Sequence, residues 1–346
     1  MLGENGRSPG SPWPSPTDDR TPTRPLPGIP HATARPAIPP PRRALPPPEW
    51  PPPAAPPEQP REAPGGAGAP RSHPRRRLRR VLRRLAVVAL LLQLVLAVFL
   101  GTLRWWTPGR TAFMLQDGAP VTYQYVSLDH VSRYLVAAVI AHEDEKLGTR
   151  SGAFSFAEFS ARVTAYTQGK PDPSGSTIPQ QLAKNVFLWP HQDPVRKAIE
   201  AILSSEMNVT LSHQRMLELY VNYAQFGPHL YGVCAASWFY FGAAPWDMTQ
   251  YQAGQLMGVL PDPDLVSRAP EGGIDVSPAA NPLAVNLING AANVHVPREL
   301  AGMGGWQAAI ATIGLHDTAT DHASQRASHD ACSTMPAAVS QLLHHP

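Results

Sequence analysis

The chain has 346 residues, a formal net charge of +3, 41 prolines and two cysteines. The length would hold two domains, but the composition is so uneven that domains must be counted segment by segment. Two widely separated cysteines are too few for a disulfide framework, and no spacing suggests a metal-thiolate site.

More than half of the 41 prolines fall before Pro70, in runs such as Pro46 to Pro53 where core-forming residues are sparse. Residues 1–72 therefore read as a disordered, proline-rich tail, a spacer or docking segment with no identifiable partner. A basic cluster follows, Arg71, Arg75, Arg76, Arg77, Arg79, Arg80, Arg83 and Arg84, most of it in a juxtamembrane segment at 73–84. It runs directly into an apolar stretch from Leu85 to Leu103, interrupted only by Gln93, Gly101 and Thr102. At ~1.5 Å per residue that stretch spans a bilayer. The abrupt join favours a positive-inside signal over a nucleic-acid patch, so the N-terminus is expected to be cytoplasmic. Residues 85–106 then form an uncleaved signal-anchor helix, with Trp105 and Trp106 at the outer interface. The cluster accounts for much of the net charge, which says little about partners of the remainder.

From Ser127 to about Pro263 the apolar periodicity is helical; strand-like alternation is limited to Val121 to Val126. Ser132 is placed to cap a helix with Leu135, Ala138, Val139 and His142 along one stripe, and Glu143 ends that stripe. Thr177 and Gln180 make a capping-box pattern that opens a helix through about Phe187. Asp193-Pro194 starts the next helix, where Val195, Ala198, Ile199, Ile202 and Leu203 read as a buried stripe and Glu200 lies off it, beside Arg196 and Lys197. Ser212 opens a helix expected to close at Gly227-Pro228, and another runs from near Tyr231 to Gly242. Thr249 and Gln252 cap a helix that Pro261 stops. The extracytoplasmic domain, 110–264, is thus expected to be mainly α. In 265–346 the pattern loosens, with helical candidates only at about Trp306 to Leu315 and Pro336 to Leu343.

Group transfer from an anionic leaving group needs a base for the attacking hydroxyl and positive charge for the departing group. Glu143 on its apolar stripe is expected to feel desolvation, and Glu200 beside two cations to be held ionised, a contrast suited to acid/base work. On periodicity alone a helix glutamate is more often an ion-paired surface residue, and it is the local wording that singles these two out.

Ala138 to Asp144 (AVIAHED), Gly175 to Asn185 (GSTIPQQLAKN) and Arg196 to Glu200 (RKAIE) resemble, in order, successive motifs of the family 51 glycosyltransferases. The likeness continues through Arg215 to Asn222, Phe226-Gly227, Tyr231 to Val233, Tyr240 to Gly242 and Leu256 to Pro263, and is strongest to the monofunctional biosynthetic peptidoglycan transglycosylases. The resemblance implies a lysozyme-like α fold that polymerises lipid II by inverting transfer and releases polyprenyl diphosphate. It assigns Glu143 as general base and Glu200 as the second essential carboxylate. Lys184, Arg196 and Lys197 match its cationic positions, and Ser176, Thr177, Gln180, Gln181 and Asn185 its polar donor-site helix. Glu206, Glu218 and Asn222 match family positions too, with a structural role as the better reading.

By the same resemblance the partners are lipid II, the nascent glycan strand, the membrane and other cell-wall synthesis proteins, with no nucleic acid. Sequence alone requires no cofactor; a divalent cation, Mg or Mn, is implied by the family only. Leu147 and Arg150 stand where the family commonly has an aromatic residue and a histidine, Gln192 where it has an arginine, and Gln252 where it has a glutamate. The departures at Arg150 and Gln192 motivate the rival reading of a catalytically weak lipid II-binding or cell-wall-assembly scaffold. A lytic transglycosylase on the same scaffold is a third reading, which the Gly175 to Asn185 helix argues against. No Ser-x-x-Lys tetrad follows Pro263, so no transpeptidase domain is expected.

Overall fold

The computed structural model describes residues 74–170, 175–191, 193–317 and 329–344; the proline-rich segment and Gln192 lie outside them. Helix α1, Pro74–Gly101, starts within the arginine cluster and continues through the apolar segment. The stretch Leu78–Arg104 is long and apolar enough to cross a membrane. Most of its leucines and valines are exposed, whereas Leu100 and Leu103 at its end are buried in the core of the following domain.

That domain is helical around a small sheet. Helix α2 is Ala112–Gln116, α3 Arg133–Glu143, α4 Phe156–Thr167, α5 Ile178–Phe187, α6 Pro194–Thr210, α7 His213–Tyr223, α8 Val233–Phe241 and α9 Gln250–Val259. Strand β1, Thr122–Tyr123, falls where alternation was expected; β2, Gln225–Gly227, and β3, Leu230–Tyr231, were not foreseen. The sheet order is β1-β3-β2, with β1 parallel and β2 antiparallel to β3. Helix α7 therefore stops at Tyr223 and not at Gly227, because Ala224 is already extended and leads the chain into β2.

Helix α3 is the central rod. Leu135 through Ile140 are all fully buried, as expected of a segment apolar on every side. Ser132 stands at its N-cap position, but its hydroxyl donates to the Met248 carbonyl at 2.8 Å and does not cap. The capping residues of α6, α7 and α9 do act: Asp193, Ser212 and Thr249 accept from the backbone N–H groups of Arg196, Arg215 and Gln252.

Helix α6 faces opposite to the sequence expectation. Its buried residues are Arg196, Glu200, Ser204 and Met207, while Val195, Ile202 and Val209 are exposed. The charged face goes inward because partners wait there, and α6 lies alongside α1, where Gln93 donates to Glu206; Phe99 of α1 lies 5.9 Å from Phe187 of α5.

The C-terminal region is more ordered than its loose pattern suggested. Helices α10, Pro282–Gly290, and α11, Val296–Gly302, are joined by a π-helical turn at Ala291–His295, and α12, Trp306–Ala311, and α13, Ala337–His344, follow. Ala284, Ile288, Val296, Leu300, Ile310 and Val339 join the same core as α3 and α9. Cys234 of α8 and Cys332 form a disulfide, so the two cysteines that framed nothing by themselves tie this region to the domain.

Candidate active site

Glu143 is the last residue of α3, where the buried rod reaches a cleft. A carboxylate at a helix C-terminus meets the negative end of the helix dipole, so helix stability does not explain its placement. Its side chain is 11% exposed, and both oxygens are engaged: Oε1 lies 2.8 Å from His142 Nδ1 and Oε2 accepts from Gln181 Nε2 at 2.6 Å. Tyr220 donates to Gln181 Oε1 at 3.2 Å. Burial, and then the charge of Glu143, push the Tyr220 hydroxyl well above the ordinary tyrosine value, which keeps it a donor.

Asp144 next door is buried and builds the cleft floor. Arg150 forks onto it with bonds of 2.6 and 2.8 Å, donates from Nε to the Gly152 carbonyl, and leaves Asp144 Oδ2 to accept the Ile178 N–H at the start of α5. The departure at Arg150 thus has a defined place: a bidentate pair fixes the loop after Glu143 to the first turn of α5. Leu147, the other departure in this loop, is buried in the core.

The second carboxylate is deeper than the first. Glu200 is 1% exposed, against the expectation that Glu143 would be the more desolvated. It accepts from Arg196 at 3.3 Å and from Lys197, whose ammonium also donates to Ser176 Oγ at 3.0 Å. Arg196 Nε is buried with no hydrogen-bond partner among the described residues. Lys184, one turn along α5 from Gln181, lies over the Phe113 ring at 5.3 Å. Among the described residues no carboxylate comes within ion-pair distance of it. Burial lowers its affinity for a proton, Glu200 opposes this, and Arg196 and Lys197 add to it.

The ten residues singled out by sequence all sit on α3, α5, α6 or the turn before α5. Glu143, Gln181, Ser176, Lys197, Glu200 and Arg196 are joined in one bonded chain, in which Gln181 Nε2 also donates to the Ser176 carbonyl at 2.9 Å. Thr177, Gln180 and Asn185 turn inward. Thr177 donates to the Ala153 carbonyl, Gln180 accepts the Thr177 N–H as the returning arm of the capping box, and Asn185 lies 3.5 Å from the Tyr223 carbonyl. Sequence reasoning missed His142 and Tyr220 as neighbours of the carboxylate. His142 was read as a member of the apolar stripe of its helix, and Tyr220 has the spacing of a core residue; only their polar tips distinguish them.

Glu218 and Asn222 brace the scaffold. Glu218 accepts from Tyr125, the Leu128 N–H and Arg215, and Asn222 exchanges bonds with the Val126 backbone. Arg215 also donates to the Leu103 and Trp106 carbonyls, joining the segment just after α1 to α7. His191 is exposed.

Residues 112–275 match the protein family described as Transglycosylase. The biosynthetic peptidoglycan transglycosylase of Marinomonas sp. (strain MWYL1) is 39% identical over 153 residues, 44% of this chain and 68% of that relative. The protein of the same description from Shewanella oneidensis is 38% identical over 176 residues, 51% of this chain and 75% of the relative.

Proposed function

The chain belongs to the biosynthetic peptidoglycan transglycosylases, and from that premise we propose how its cleft joins lipid II units to a nascent glycan strand. It is a glycosyltransferase that polymerises peptidoglycan glycan. Glu143 acts as general base: a carboxylate oxygen takes the proton of the acceptor 4-hydroxyl as that oxygen attacks the anomeric carbon of the donor. The bond from that carbon to the diphosphate breaks, its electron pair leaves with the polyprenyl diphosphate, and attack from the opposite face inverts the anomeric centre. Gln181 and His142 orient the base.

The leaving group meets Lys184, Arg196 and Lys197. Three cations against the single charge of Glu200 leave a surplus of two, which matches the two charges of a diphosphate diester. Glu200 holds the two α6 cations in place, and Arg196 Nε offers a buried donor with no acceptor among the described residues. Thr177, Gln180 and Asn185 keep α5 in register beneath the diphosphate. The observation that carries this reading is the unbroken chain from Glu143 through Gln181, Ser176 and Lys197 to Glu200, which couples the base to the leaving-group side.

A divalent cation would draw its ligands mainly from the substrate diphosphate, as Mg²⁺ commonly does. The oxygens of Glu143 and Glu200 are already engaged, and among the described residues no group of three or more metal-ligating side chains is assembled. In the topology we favour, α1 is a single anchor with its arginines in the cytoplasm and the catalytic domain outside. The Cys234–Cys332 disulfide fits an oxidising compartment.

The test is polymerisation of lipid II by the detergent-solubilised full chain. Wild type yields glycan strands, and Glu143→Gln loses roughly a hundredfold or more in rate. Strands made equally well by Glu143→Gln would remove it as the base, and lipid II binding by a wild type that makes no strands would favour a scaffold.

A further inference from the structure

The family match ends at Asp275, yet the region beyond it forms a wall of the cleft beside Glu143. Its helices lie on α9 and on the loop after Glu143 with no side chain between the backbones. A Cβ on Gly258 would stand 2.3 Å from Ile288 Cα, one on Gly254 2.9 Å from Ala292 Cα, and one on Gly148 2.1 Å from the Thr312 carbonyl oxygen. Ile288, Ala291 and Val296 are buried at this seam. Such contacts fix the register of α10 and α11, and that register places Asn286, His295, Arg298 and Glu299 on a cavity of about 630 Å³ whose other lining includes His142 and Glu143.

The cavity differs in chemistry from the diphosphate side. Lys184, Arg196 and Lys197 do not line it. Its own cations are already matched: Arg150 with Asp144, Lys146 at 3.7 Å from both Glu145 and Glu158, and Arg298 with Glu299 at 2.6 Å. Paired charges fringed by an amide and an imidazole suit hydroxyl and acetamido groups better than a phosphate. A general base must touch the hydroxyl it deprotonates, so the ligand that reaches Glu143 from this side is the acceptor sugar.

We propose that α10 and α11 build a wall of the acceptor-saccharide site, with Asn286, His295 and Arg298 holding the acceptor while Glu143 takes its proton. The inference rests on Glu143 being the base. It assigns the segment beyond the family match a part in substrate selection, through three residues whose side chains do not support the core; that of Arg298 is 64% exposed.

The experiment compares the full chain with its Asn286→Ala/His295→Ala/Arg298→Ala variant in lipid II polymerisation, with polyprenyl diphosphate as a competing probe of the leaving-group side. The expected result is a KM for lipid II raised about tenfold, kcat within about twofold, and unchanged inhibition by polyprenyl diphosphate. A His295→Gln/Arg298→Lys variant, which keeps donors at both places, should return KM most of the way to wild type. An unchanged KM overturns the inference, as does an equal weakening of lipid II and polyprenyl diphosphate, which would mark the wall as general support. Full activity of Glu143→Gln would instead remove the base itself, and the acceptor site with it.

Discussion

Helices α3 and α6 each carry one of the two carboxylates, and they solve the same problem in opposite ways. In α3 the apolar residues turn inward on all sides and the carboxylate emerges only at the last position. In α6 the charged residues turn inward, with Glu200 buried between Arg196 and Lys197, and the apolar stripe turns out. An apolar stripe marks the neighbour of lowest polarity, and for α6 that neighbour is the anchor helix and, in the proposed topology, the bilayer. The inward charges persist because each is answered by another.

The largest expected consequence separates the two carboxylates by stability. Glu200→Ala leaves two cations beside an empty acceptor in a buried site, which costs about 3–5 kcal/mol of folding stability. Glu143→Ala, at the edge of the cleft, should change stability by about 1 kcal/mol or less while abolishing strand synthesis. Thermal unfolding of the two variants in the same detergent decides between them. Equal losses of Tm would erase the distinction drawn between the helices.

A smaller effect concerns the cation on α5 between them. Burial lowers the Lys184 pKa below its ordinary value, with Glu200 opposing. If the ammonium binds the diphosphate, binding is complete below that pKa and is lost as pH rises through it. The alkaline limb of lipid II polymerisation should therefore begin below the ordinary lysine range of about 10.4. Lys184→Arg, which stays charged, should move that limb upward. An unmoved limb would take Lys184 out of the leaving-group site.

Much of this was legible in sequence where local rules and packing agree. Thr177 with Gln180, Asp193 with Pro194, and Thr249 with Gln252 announced helix starts that the structure contains, because a cap is satisfied within its own turn. The order of motifs placed Glu143, Gln181 and Glu200 on three separate helices, α3, α5 and α6, whose side chains the fold joins in one bonded chain. What could not be read depends on residues far apart in the chain. The facing of α6 depends on α1 and on Ser176, and α10 and α11 depend on Gly254 and Gly258, which look like weak helix formers until the opposing backbone is seen. Ser132 shows the limit within one residue: its position is that of a cap, but its hydroxyl is taken by Met248 across the fold. Ser132→Ala should thus cost about 1 kcal/mol through a lost buried bond, measured by denaturant unfolding; an unchanged stability would show that the bond to the Met248 carbonyl contributes nothing.

The smallest expected effect is the one that tests the orientation of α6 most directly. Met207 and Val209 are two positions apart on that helix, Met207 fully buried and Val209 82% exposed. Replacing Met207 by Asn puts an amide into a packed core and should cost several kcal/mol. Replacing Val209 by Asn should change stability in detergent by about 0.5 kcal/mol or less, because its side chain is largely exposed. A stripe facing water and a stripe facing lipid give the same small number, so a second measurement separates them. A nitroxide on Cys at position 209, in the full chain reconstituted into vesicles, should be relaxed more by oxygen, which concentrates in lipid, than by a water-soluble nickel complex. Dominant relaxation by nickel would put the stripe in water, and α6 would then owe its outward apolar face to α1 alone.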